Sequence, residues 1–378
     1  MSIEKEKKLH MKKLKIALVS LTISPDSQDG SAKFFSGIYN YLNSRGHDVK
    51  VITGKWNLNL GDPNVSQIKI IRKSYLWIPQ FALKVIKFLR NTEFDIIHGN
   101  GPKGTLPLLY NKKKFISTIH DLGPIESSFS FIPIEKILIN KVIKKANLIT
   151  TCSEFTKQQI KNFFPKTELK KVHNLYSAIE SKFKPYPKKA EQLKENLGLK
   201  GPVALYIGRI ALYKDIENVI KAYKYAKQEI NNLELVIGGT PDFYMKETYK
   251  RWKQKYKDIH FIGFIPEVEL PVYYSMGDVF ISYSYSSEGF GLTPIEAIAC
   301  GTPAICSSIG AYNEILQNNA IFVPPKNPKF LARELINLIN DDEKRLELLN
   351  QAQKFISRYS WNSVGKKLEK VYEKFLTI

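Results

Sequence analysis

The chain has 378 residues, 43% of them hydrophobic and 25% charged. That length suits two domains, and the balance excludes both a chain disordered throughout and a small disulfide-stapled fold. The formal charge is +21, of which +15 falls in residues 1–180. An anionic partner is therefore expected: nucleic acid, an anionic membrane or a phosphorylated substrate.

No apolar run reaches the ~18–20 residues of a membrane span. Cys152, Cys300 and Cys306 form no C-x-x-C pair and no metal spacing, which points to a reducing, cytoplasmic compartment. At the amino terminus the basic residues Lys5 to Lys15 precede the apolar run Ile16–Ile23. No small-x-small cleavage site follows, so this run reads as a buried first strand and not a leader. Met11 offers a second possible start.

Strand and helix signals then alternate. Lys15–Leu21 is a strand, and Phe34, Phe35, Ile38, Tyr41 and Leu42 mark a helix over Lys33–Ser44. Val49–Ile52, Asp95–His98, Phe115–His120 and Asn147–Thr150 are further strands. The alternation restarts after Pro185-Tyr186-Pro187 with strands at Val203–Gly208, Leu233–Ile237, Phe261-Ile262, Val279–Ile281 and Ala304–Cys306. Two α/β, doubly wound parallel sheets follow from this pattern, with ligands expected at the carboxyl ends of the strands.

Candidate functional residues lie just after strands. Gly208-Arg209 and Lys214 put two cations at one sheet mouth, which suits a diphosphate. Glu288-Gly289-Phe290-Gly291-Leu292-Thr293-Pro294-Ile295-Glu296 carries two carboxylates around a glycine-rich loop. Thr293 reads as an N-cap with Pro294 at the first helical position, and the helix start favours a phosphate. Glu296 either closes a Thr293-x-x-Glu296 capping box or binds ligand.

These residues resemble a family. Glu288 and Glu296 around Gly-Phe-Gly-Leu-Thr-Pro look like the E-x7-E signature of retaining GT-B glycosyltransferases of family 4, and Gly208-Arg209 with Lys214 is similar to that family's phosphate-binding pair. Ala297–Pro303, Gly310–Glu314 and Tyr359-Ser360-Trp361 continue the likeness, which covers roughly residues 15–375. The resemblance implies an acceptor domain over 11–180, a donor domain over 181–358 and a segment 359–378 packed back on the first domain. It implies that Arg209 and Lys214 hold the nucleotide diphosphate. It places Glu288, Phe290, Gly291 and Leu292 on the sugar and phosphate beside Gly289, Glu296 on the ribose, and Gly263-Phe264-Ile265 beside the base. No resident cofactor is implied, and no Asp-x-Asp is placed for a metal.

In the amino-terminal half, His120 matches a family histidine that reaches the donor sugar; the bland reading is a turn cap with Asp121. His98 and Asp121 are lesser candidates. The family's first-loop Gly-Gly pair is Gly30-Ser31 here, which reduces backbone access, while Lys33 could add a phosphate contact. The linker Ser177-Ala178-Ile179-Glu180 lacks the family's Asn, Gly and Asp. Segments 69–90, with Trp77, and Ile132–Lys145 interleave cations with apolar residues. They suit either an anionic membrane surface or helices packed on the sheet with a solvated Lys face. The implied reaction is retaining transfer of a hexose from a nucleotide-diphosphate sugar to an acceptor hydroxyl of a glycan, lipid or small molecule. An enzyme of glycan biosynthesis, peripheral on the inner face of a membrane, fits that reading. A GT-B-like epimerase or phosphorylase is one alternative. A nucleic-acid-binding protein is another, although no zinc pattern or RNA-binding signature supports it.

Overall fold

The computed structural model describes residues 12–26, 29–71, 77–126, 133–286 and 288–378. Seven parallel strands form the first sheet: β1 (Lys15–Ser20), β2 (Asp48–Lys55), β3 (Val65–Lys69), β4 (Ile96–Asn100), β5 (Ile116–Ile119), β6 (Leu148–Thr151) and β7 (Val172–Asn174). Their spatial order is β3-β2-β1-β4-β5-β6-β7. The second sheet holds β8 (Val203–Ile207), β9 (Glu234–Gly238), β10 (Ile259–Gly263), β11 (Val279–Ser282), β12 (Ala304–Ser307) and β13 (Ile321–Val323), in the order β10-β9-β8-β11-β12-β13. The strand order reverses at β1/β4 and again at β8/β11. Each reversal opens a crevice at the carboxyl ends of the strands.

The central strands are unbroken apolar runs because helices cover both faces: all five residues of β8 are buried, as are Ile16 to Ser20 of β1. Sequence reading misses β3, β7 and β13. β7 and β13 have three residues each, and β3 is a half-exposed edge with Ser66 and Gln67 in its middle. Helix α1 runs Gly30–Ser44, one turn earlier than its apolar spacing suggests, because Asp29 is the N-cap and its Oδ1 accepts from the Ala32 N–H at 2.9 Å.

Helix α2 (Trp77–Arg90) buries Phe81, Val85 and Leu89 on the sheet and turns Lys84, Lys87 and Arg90 to solvent. The Pro133–Lys145 helix does the same with Ile139, Val142 and Ile143. Both therefore have the packed-helix form. Residues 72–76 of the first segment and Ile132 of the second lie outside the described residues.

The chain crosses between the sheets twice. At the first crossing Ser177, Ala178 and Ile179 are buried, and the Ile179 N–H donates to Tyr359 O of the second at 2.9 Å. The C-terminal helix Trp361–Leu376 then packs on the first unit, placing Leu368, Val371, Tyr372 and Phe375 in one core with Phe34, Phe35 and Ile38. Among the described residues no helix is long and apolar enough to cross a membrane.

Candidate active site

The two switch-point crevices face each other. On the second sheet, β8 ends at Gly208-Arg209, and the Tyr206 hydroxyl donates to Arg209 O at 3.0 Å, fixing the turn. The Arg209 guanidinium donates to the Tyr213 hydroxyl at 3.1 Å. Lys214 Nζ stands 2.5 Å from Glu288 Oε1, with both side chains only about 15% exposed (15% and 14%). Burial opposes the charge on Lys214, yet the Glu288 carboxylate outweighs it and holds the ammonium above its ordinary pKa. The cation is thus present and held by one anion at the strand ends.

The Glu288 loop enters its helix differently from the sequence expectation. The helix is Leu292–Ala299 and its N-cap is Gly291, so Thr293 and Pro294 are its second and third residues. Gly291 has φ +89°, and a Cβ there would lie 2.2 Å from the Tyr312 ring. That left-handed turn starts the helix early and places Glu296 too deep for a capping box. Glu296 is 3% exposed, and its Oε2 accepts from the Tyr274 hydroxyl at 2.8 Å. Burial pushes its carboxyl above the usual range, with the nearby Lys33 ammonium pulling the other way. Phe290 is buried and turns its ring inward against Tyr359, centroids 5.4 Å apart. Of the other expected contacts, Phe264 is 58% exposed, whereas Ile265 is buried and packs against Gly238. Leu292 lies beside Gly30 of the opposite unit.

On the first sheet, the Asn100 amide organises the crevice. Its Nδ2 donates to Ser31 O at 3.2 Å and Ser20 Oγ at 2.8 Å. A backbone carbonyl only accepts, so Asn100 Oδ1 faces His120 Nε2, 2.6 Å away, and His120 carries its proton on Nε2. Burial lowers the His120 pKa to about 4, against the opposing effect of Asp29. The Ser31 hydroxyl is turned back on Asp29 Oδ1 at 2.5 Å. Asp121 accepts from the Gly123 N–H at 3.0 Å. Lys33 lies 3.9 Å from Glu267, which also takes Lys182 at 2.8 Å. Beside them, between the units, opens a cavity of about 540 Å³.

The halves meet closely. A Cβ on Gly289 would fall 2.3 Å from His120 O, and Cys152 Sγ donates to both His120 O (2.8 Å) and Gly289 O (3.3 Å). His120, Asp121, Arg209, Lys214 and the Glu288 loop therefore share one cleft. His98 does not join them. It is fully buried in the middle of β4, bound to Tyr372 and Thr118, and its pKa is lowered to about 3 by burial. Asn100 and Glu267 escape sequence reading because neither sits in a motif. Among the described residues no cluster of His, Cys, Asp or Glu could hold a metal ion.

Two facing Rossmann-like units define the GT-B architecture. The model for glycosyl transferases group 1 matches residues 187–355, and that for glycosyltransferase family 4 matches residues 29–179. The chain belongs to the family 4 type of GT-B glycosyltransferases. It is 27% identical to the alpha-monoglucosyldiacylglycerol synthase of Acholeplasma laidlawii over 88% of this chain and 90% of that one. Sucrose-phosphate synthase from Thermosynechococcus elongatus superposes with a TM-score of 0.84 at 20% identity, covering 97% of this chain and 100% of that one. Anabaena HepE, solved with UDP-glucose, gives 0.78 at 18% identity, with 97% and 100% covered.

Two expectations follow from the buried groups. Glu296 has a raised folded pKa, so the native state binds its proton more tightly than the unfolded chain does, and stability falls as pH rises past 4.5 through the folded value. Glu296→Gln should therefore melt above the wild type at pH 8, with the gap closing as pH approaches 4.5, while nucleotide affinity drops about tenfold. Paired melting curves and calorimetry check this; a wild-type melting point at pH 8 contradicts it.

For His98 and His120 the folded pKa values, about 3 and about 4, lie below the unfolded 6.5. The unfolded chain then binds more protons, so stability is lost as pH falls below 6.5 and is constant above it. In an NMR titration neither ring should protonate between pH 8 and 5, and a midpoint above 6 for either would contradict the buried, neutral assignment.

Proposed function

We propose that the enzyme is a retaining hexosyltransferase that uses a nucleotide-diphosphate sugar. The observation that carries this reading is the Lys214–Glu288 pair beside Arg209 at the β8/β11 crevice, closed over by His120. Arg209, Lys214 and the N–H groups opening the Leu292 helix would stabilise the charge that grows on the leaving diphosphate. Glu288 would bind sugar hydroxyls, exchanging part of its hold on Lys214 for them. Glu296, buried and accepting from the Tyr274 hydroxyl, would take the ribose hydroxyls and not form a covalent sugar intermediate. The acceptor oxygen would then attack from the face the diphosphate leaves. The donor's anomeric C–O bond breaks, the new C–O bond forms on the same side, and the leaving phosphate oxygen takes the acceptor proton. Neutral His120, held by Asn100, would orient the sugar as a hydrogen-bonding partner. Cleft closure excludes water.

The acceptor reading is a lipid or membrane-linked glycan. It is supported by one face of the first unit, where exposed Leu83 (67%), Tyr110 (63%) and Ile137 (50%) stand among Lys84, Lys87, Lys136 and Lys141, and by the lipid product in the name of the Acholeplasma relative. The test is the product. Transfer to a lipid acceptor in anionic vesicles should give the donor's own anomeric configuration by NMR. An inverted product removes the retaining reading, sugar release or isomerisation without acceptor favours an epimerase or phosphorylase, and no flotation with anionic vesicles at low salt removes the membrane reading.

A further inference from the structure

The Glu154–Phe163 helix of the first unit begins against the second unit. Its own N-cap, Ser153, satisfies one amide: Ser153 Oγ accepts from the Thr156 N–H at 3.0 Å. The two amides ahead of it point across the interface. Glu314 of the Gly310–Leu316 helix accepts both, Oε1 from the Glu154 N–H at 2.9 Å and Oε2 from the Phe155 N–H at 2.7 Å. A carboxylate at a helix N-terminus gains from the two N–H groups and from the helix dipole.

The same turn touches both halves of the site. Thr156 Oγ1 donates to His120 O at 3.2 Å. Phe155 packs on Gly310, whose Cα side lies against the backbone of Glu288: a Cβ there would be 3.3 Å from Glu288 N and O. So the helix start that Glu314 grips also buttresses His120 on one side and the Glu288 loop on the other.

We infer that Glu314 is a positioning residue: its two-point grip on the Glu154 helix holds the domains in the closed arrangement that brings His120 to the Glu288 loop. This rests on the transferase reading above. When the domains part, the carboxylate and both amides return to water, so the grip biases an equilibrium without preventing opening. The phosphate-binding side chains Arg209 and Lys214 belong to the second unit alone, so free nucleotide can bind without the grip. Transfer needs both units and therefore needs it.

Glu314→Ala and Glu314→Gln test this. Expected for Glu314→Ala is a larger radius of gyration by small-angle scattering, kcat down on the order of 10- to 100-fold, and a Kd for the best-binding of UDP, GDP and ADP within about threefold of wild type. Glu314→Gln keeps one acceptor oxygen and should recover part of kcat. Unchanged scattering and kcat in Glu314→Ala would overturn the inference, as would a nucleotide affinity that falls in step with kcat. If Glu314→Ala fails to fold, the near-isosteric Glu314→Gln carries the same comparison. If wild type binds none of the three nucleotides, the transferase reading fails, while the scattering comparison still decides the grip.

Discussion

Lys214→Ala is expected to weaken nucleotide-diphosphate binding by about a hundredfold, some 2.7 kcal/mol, with the fold intact. Two losses add. The leaving diphosphate loses a buried ammonium that the structure keeps charged. Glu288, with its side chain only 14% exposed, loses the cation 2.5 Å away and becomes an uncompensated anion facing the same phosphates. Arg209→Ala should cost less, about tenfold, because Arg209 is exposed and has no buried anion left behind. Lys214 lies on a short turn after β8 and not in the apolar core, so circular dichroism should be unchanged. Equal affinity for Lys214→Ala and wild type in calorimetry would mean that the phosphates sit elsewhere.

Tyr372→Ala should have the largest effect on stability, about 4 kcal/mol. Tyr372 is fully buried and joins the C-terminal helix to the middle of the first sheet. Its hydroxyl stands 3.0 Å from His98 Nδ1, and His98 Nε2 continues the chain to Thr118 Oγ1 at 2.8 Å. Truncation leaves a cavity and an unpaired ring nitrogen that burial already keeps neutral. Tyr372→Phe retains the packing and should cost only about 1 kcal/mol. The helix also docks by close approach, with Trp361 over Gly37 and Tyr41 against Gly365, so its loosening should lower the melting point of the first unit. Scanning calorimetry that finds Tyr372→Ala no less stable than a surface substitution would show that the helix is not part of that core.

The strands that carry the site were readable because they are central and parallel. β1 and β8 are unbroken apolar runs, and Gly208-Arg209 directly after β8 marks its carboxyl end. The Glu288 loop was readable from its glycines and paired carboxylates. The helix start within it was not: Thr-Pro imitates an N-cap and first turn, and only the packing of Tyr312 on Gly291 moves the cap two residues earlier. His98 and His120 look alike in sequence, each near the end of a strand. What separates them is that β4 continues two residues beyond His98, to Asn100, whereas β5 ends just before His120 at the cleft. Asn100, Glu267 and Glu314 act through partners 20 to 243 residues away, and no local spacing encodes such pairs.

The most direct test of the central claim is calorimetric titration of wild type and Lys214→Ala with UDP, GDP, ADP and their sugar conjugates. Saturable binding of one nucleotide class to wild type, weakened about a hundredfold in Lys214→Ala, is the predicted result. Absence of binding by all of them to the folded wild-type protein, or binding that Lys214→Ala leaves unchanged, would contradict a nucleotide-sugar site at the β8/β11 crevice.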